Sequence, residues 1–128
     1  MNRTVRTKAQ AAQIELLKTV KESAVIKEVQ AVIEATGLKV QRVNTGAFVT
    51  GTGNKRRFVR SAKKGTLDFE GYDNHGRFLA IECKRPIGGR LSSEQEARIT
   101  DINRKGGIAF SVTSGAEALN LLEINNCI

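Results

Sequence analysis

The chain has 128 residues, 40% of them hydrophobic and 27% charged, which supports one hydrophobic core rather than two and excludes a chain disordered throughout. Lys and Arg outnumber Asp and Glu by 21 to 13, a formal charge of +8, so a polyanionic partner is expected, nucleic acid before an anionic membrane surface. No segment approaches the roughly 20 apolar residues of a membrane span, and the opening Met1-Asn2-Arg3-Thr4-Val5-Arg6 is no signal peptide, so a cytoplasmic protein that does not enter membranes is expected.

From Thr7 to Thr36 the apolar residues Ile14, Leu17, Val25, Val29, Val32 and Ile33 recur at helical spacings, with Gly37 as the stop. The segment reads as one long helix or as two, with a break near Thr19–Ser23 and Ser23 as a cap, because a single helix of that length projects beyond a small domain. Leu38 to Val43 alternates as a strand does, and Thr45 to Gly53, rich in Gly and Thr, reads as a mobile loop. Lys55, Arg56, Arg57, Arg60, Lys63 and Lys64 then form the densest charge run in the chain. Thr66–Tyr72 and Arg77–Cys83 predict two strands of a hairpin joined by Asp73-Asn74-His75-Gly76. Beyond Pro86 and Gly88-Gly89 a helix is predicted from Ser92 to Lys105, stopped by Gly106-Gly107, then a strand over Ile108–Val112 and a closing helix from Gly115 to about Leu122. Cys83 and Cys127 have neither metal-ligand spacing nor a disulfide framework and read as free thiols. The order describes a single α/β domain over residues 1–128, a mixed sheet flanked by helices with the hairpin at its centre and residues 1–20 as an N-terminal helical extension.

Metal-dependent phosphodiester cleavage needs hard oxygen ligands for a divalent ion, an activated water, and a cation beside the attacked phosphate. Asp68, Glu82 and Lys84 supply those types. Glu82 and Lys84 leave the same face of one strand, while Cys83 points into the packing and its backbone carbonyl is available as a further ligand. Asp68 lies across the hairpin, opposite Glu82 or one register step from it, and directly paired residues have Cβ atoms about 5 Å apart. Two carboxylates so placed repel unless a cation lies between them. An isolated E-x-K is most often an ordinary solvated strand face. This one is set apart by the hairpin aspartate, by the apolar lead-in Phe78-Leu79-Ala80-Ile81, and by the basic chain. The run from Lys55 to Lys64 is a solvated loop by default, yet it immediately precedes the Asp68 strand and, with Arg85, is placed to track phosphates with steep salt dependence. His75, the single histidine, sits in a turn, which disfavours a histidine-based nuclease.

In chain order, Gly65-Thr66-Leu67-Asp68, Ala80-Ile81-Glu82-Cys83-Lys84-Arg85-Pro86 and Leu91-Ser92-Ser93-Glu94-Gln95 resemble the G-x-P-D, E-x-K and downstream glutamine motifs of the VRR-NUC domain, a virus-type replication and repair nuclease of the PD-(D/E)XK superfamily. Upstream, Glu22 and the segment Arg42-Val43-Asn44-Thr45-Gly46 look like its N-terminal motif, so the likeness spans about residues 22–115. Leu67 departs from the pattern, standing where the family has proline, which bears on loop rigidity more than on ligation. The resemblance implies a restriction-endonuclease-like core and Mg2+ or Mn2+ held by Asp68, Glu82, the Cys83 carbonyl and Glu22. It also implies that Lys84 orients the water or stabilises the transition state and that Gln95 faces the site from its helix. Ser92-x-x-Gln95 is equally a capping box, and Glu28 is the fallback for Glu22.

The activity so implied is a metal-dependent endonuclease acting on branched DNA. A stand-alone member of this size looks like a Holliday junction resolvase, whose two symmetric nicks require a homodimer, with the apolar helix at residues 7–20 as its dimerisation element or else packed on its own domain. A flap or other branched-DNA nuclease is the alternative within the family. Outside it stand a non-catalytic nucleic-acid-binding module, which has no reason to face two carboxylates toward phosphate, and a basic RNA-associated structural protein, which explains the charge and not the motifs.

Overall fold

The computed structural model describes residues 5–43, 47–60 and 63–128. Helices α1 (Lys8–Lys18) and α2 (Glu22–Thr36) are separate, broken over Thr19–Lys21 as the two-helix reading has it. Thr7 starts α1 with a capping box, its hydroxyl accepting the Gln10 N–H at 3.1 Å while Gln10 Oε1 accepts the Thr7 N–H at 2.8 Å. The expected cap of α2, Ser23, is displaced: the N-cap is Lys21, which has no side-chain capping bond, and Ser23 lies within the first turn. Gly37, with φ of 70°, ends α2 in the left-handed conformation that glycine adopts without strain.

The strands are β1 (Lys39–Arg42), β2 (Ala47–Thr50), β3 (Arg57–Arg60), β4 (Phe69–Tyr72), β5 (Phe78–Cys83) and β6 (Ile108–Val112), with α3 (Ser93–Arg104) between β5 and β6 and α4 (Gly115–Ile124) closing the chain. Four of them form a mixed sheet of order β1-β4-β5-β6, antiparallel except for the parallel β5–β6 pair, whose crossover is α3. The predicted hairpin is its centre. The mobile loop expected over Thr45–Gly53 is overturned in part: β2 pairs antiparallel with β3 in a separate two-stranded sheet, so much of the basic run belongs to a strand and a single 3-10 turn over Gly53–Lys55. Asn44, Thr45 and Gly46, and Ser61 and Ala62 inside the basic run, lie outside the described residues.

Strand periodicity distributes β5 between two cores. Leu79, Ile81 and Cys83 join Val40, Phe69 and Val112 against Val25, Val29 and Ile33 of α2 and Ala118 and Leu122 of α4. Ala80 faces the other way, with Leu67 and Ala109, under Ile99 and Ile102 of α3. The sheet is thus a layer between α2/α4 and α3, and each fully buried Val or Leu stabilises it by about 1.5–3 kcal/mol. Helix α1 contributes nothing to either core, having no buried residue and Leu16 70% exposed. Among the described residues no helix is long and apolar enough to cross a membrane.

Candidate active site

The β4–β5 pairing runs Phe69 opposite Ile81, so the next step places Asp68 opposite Glu82, on the face of β5 that α3 covers. There the side chains take over from the backbone ladder. The Asp68 N–H donates to Glu82 Oε1 at 3.1 Å, and the Cys83 N–H donates to Asp68 Oδ2 at 2.8 Å. Each carboxylate therefore satisfies a backbone donor of the opposite strand, which holds the two acids side by side although both are buried, Asp68 at 6% exposure and Glu82 at 3%. The approach to Asp68 is fixed by core packing: Leu67 is fully buried beneath α3, and the Asp68 carbonyl accepts the Val43 N–H at 2.8 Å. A side chain at Gly65, where φ is 91°, would meet the Glu94 backbone at 2.9 Å, so the motif glycine is set by the close approach of α3.

Glu82 Oε2 accepts the Gln95 side-chain amide at 2.9 Å and lies 3.2 Å from the Lys84 ammonium. Gln95 makes the capping contact and faces Glu82 at once, its Oε1 accepting the Ser92 N–H at 3.0 Å while its Nε2 reaches Glu82. Lys84 also faces Glu22 Oε1 at 3.8 Å; Glu22 itself is half exposed at the rim, beyond the ammonium rather than between the two buried acids. Its fallback, Glu28, is placed elsewhere: Glu28 Oε1 accepts the Gly115 N–H at 3.1 Å and so anchors the start of α4. A residue that motif reading did not assign to the site is Arg42, whose guanidinium lies 3.6 Å from Asp68 Oδ1 and stacks 5.8 Å above the Phe69 ring. Its signal depends on the β1–β4 pairing, which brings Arg42 opposite Phe69.

Burial pushes the Glu82 carboxyl up to about 7, and the charge of Asp68 adds to the rise, against the opposing pull of the Lys84 ammonium and the Asp68 N–H. The Cys83 thiol is likewise pushed well up by burial and then by both acids, and it points into the α2 core, so sulfur chemistry is absent from this site. The Cys83 backbone, by contrast, stays beside the acids through its bond to Asp68. Of the basic run, Lys64 pairs with Glu94 at 3.1 Å where both are exposed. Arg85 donates weakly to the Gly88 carbonyl at 3.4 Å. His75 is exposed in the hairpin turn, its N–H donating to Asp73 Oδ1 at 2.9 Å.

No set of three His, Cys, Asp or Glu side chains able to hold a metal occurs among the described residues, so the acids brought together are the pair Asp68 and Glu82. Asp68 and Glu82 are the two hard oxygen donors that could hold a divalent cation, and each already faces a cationic side chain, Arg42 and Lys84 respectively. No family model matches the chain, and no curated protein and no solved structure matches it.

Proposed function

We propose that the protein is a Mg2+- or Mn2+-dependent DNA endonuclease with a PD-(D/E)XK-like core of the VRR-NUC type, acting in the cytoplasm on branched DNA. The observation that supports this most is the buried Asp68–Glu82 pair with Lys84 3.2 Å from Glu82, an arrangement that a structural ion pair does not need and that binding DNA alone would disfavour.

In this reading Asp68 and Glu82 hold the cation, with the Cys83 carbonyl at hand, and a bound Mg2+ or Mn2+ supplies the positive charge that eases ionisation of water and offsets charge on the attacked phosphate. Lys84 presents its ammonium to the incoming water or to a phosphate oxygen. Gln95 fixes the Glu82 carboxylate in one orientation, and Glu22 restrains Lys84 from the rim of the site on α2. Arg42 holds Asp68 from the opposite side. A four-way junction is the favoured substrate and a homodimer the acting form, since one site per chain gives one nick. The unpacked α1, with Leu16 exposed, is the surface available for that pairing.

The test is incubation of the purified protein with Mg2+ or Mn2+ and labelled junction, flap and duplex DNAs, alongside Asp68→Asn and Lys84→Ala. Cleavage that requires metal and falls at least about 100-fold in both variants is expected. No cleavage of any substrate with either metal removes the nuclease reading, and equal cleavage by wild type and variants removes the site assignment. Preferential cutting of flaps moves the substrate within the same class.

A further inference from the structure

Beside Lys84 and Glu22 an open cleft of about 730 Å³ lies between the α1–α2 joint and the loop that follows β5. Five cations line it, Lys18, Lys21, Lys84, Arg85 and Arg90, against the single carboxylate of Glu22. Among the described residues no carboxylate lies within ion-pairing distance of Lys21, Arg85 or Arg90, and Lys18 pairs only with Glu15 at 2.8 Å, an exposed contact that contributes little. The wall of the cleft is shaped by close backbone contact: a side chain at Gly89 would come within 2.6 Å of the Arg85 carbonyl and 3.1 Å of the Lys84 Cβ. The loop therefore folds back on Lys84 and Arg85 and keeps Arg85 and Arg90 on the same opening.

Resting on the nuclease reading above, we infer that this cleft holds the phosphodiester backbone of DNA next to the scissile bond, with Lys18 and Lys21 on one wall, Arg85 and Arg90 on the other, and Lys84 innermost. A small anion is held by one or two cations. Several contributed by two separate segments and left without carboxylate partners suit a repeating polyanion, where each neutralised phosphate releases counterions. The cleft's cations are not those of the basic run: none of Lys55, Arg56, Arg57, Lys63 and Lys64 is among the residues that line it. It also gives the break at Thr19–Lys21 a task, since the turn is what brings Lys18 and Lys21 beside the active site.

The test is fluorescence anisotropy with a labelled duplex DNA in EDTA, where no cleavage occurs, over a range of salt. Wild type is compared with Lys18→Ala/Lys21→Ala/Arg90→Ala and with the control Lys39→Ala/Lys105→Ala. The cleft variant should bind at least tenfold more weakly, with the slope of log K against log salt reduced by about 2–3, near 0.9 for each phosphate no longer neutralised, and the control should match wild type. Unchanged affinity and slope in the cleft variant, or an equal loss in the control, overturns the inference, as does wild type that binds no duplex. Acetylation of wild type with and without the duplex gives a reading free of any folding defect in the variant. Lys18 and Lys21 should be protected by DNA, and equal modification contradicts the cleft. Tighter, cleft-dependent binding of an RNA duplex of equal length replaces DNA as the ligand. Cleft-dependent binding by a protein that cuts nothing in Mg2+ or Mn2+ leaves the cleft standing and removes the nuclease, whereas cutting with a cleft variant indistinguishable from wild type does the reverse.

Discussion

Glu82 and Asp73 are both buried carboxylates, and their surroundings act on them in opposite directions. Burial and the Asp68 charge raise Glu82 to about 7. Burial would raise Asp73 too, but the backbone N–H groups of Arg77 and His75 and the Arg77 guanidinium outweigh it and hold that carboxyl below the usual range. The signs of their linkage to folding differ accordingly. A raised folded-state value makes the Glu82 contribution fully present below its unfolded value of 4.5 and lost as pH rises through about 7. A lowered value makes the Asp73 contribution present above the ordinary carboxylate range and lost as pH falls. In EDTA, the Tm should therefore decline between about pH 5 and pH 8 in wild type and stay flatter in Glu82→Gln, as measured by circular dichroism melts. Mg2+ or Mn2+ should raise the Tm more at pH 8 than at pH 5. A wild-type decline identical to that of Glu82→Gln would show that this carboxyl is not the group responsible.

Helix α3 shows how one element serves stability and the site together, and how far each was legible. Ser92 and Gln95 signal a helix start from sequence alone, because a capping box is a local pattern; that Gln95 also reaches Glu82 depends on α3 crossing the β4–β5 face, where Arg98 clamps Glu70 at 2.9 and 3.0 Å. Ser92→Ala should cost about 1 kcal/mol in denaturant melts and leave cleavage within a few-fold of wild type. Gln95→Ala should keep the Ser92 hydroxyl cap, lose only the reciprocal bond from the Ser92 N–H, and slow cleavage about 10–100-fold, because the Glu82 carboxylate loses its orienting donor. Equal cleavage by the two variants would reduce Gln95 to a cap. On α2, Glu28→Ala should destabilise by about 1 kcal/mol without altering the cleavage rate, since its partner is the backbone of Gly115, 87 residues away. The hairpin, α3 and β6 were readable because their turn and cap residues are neighbours in the chain. The β2–β3 pair was not, because Gly and Thr around β2 and Arg57 and Arg60 on β3 hide the strand pattern, and the tasks of Glu28 and Arg42 exist only once distant elements meet.

For the molecule as a whole, the sheet and its two flanking layers deliver Asp68, Glu82, Lys84 and Gln95 to one point, while α1 stands outside both cores. Leu16→Glu on that exposed face should leave the Tm within about 2 °C of wild type and, if α1 joins two copies, convert a dimer to a monomer in sedimentation. A wild-type monomer that still cuts junctions symmetrically would remove α1 as a dimer interface and leave the site untouched. The proposed chemistry depends on Asp68 and Glu82 sharing a divalent cation, and calorimetric titration of Mn2+ at pH 7 reads that directly, without substrate. Saturable binding to wild type with proton release from Glu82, and its loss in Asp68→Asn, is the predicted result; no binding to wild type, or the same binding to both proteins, would contradict it.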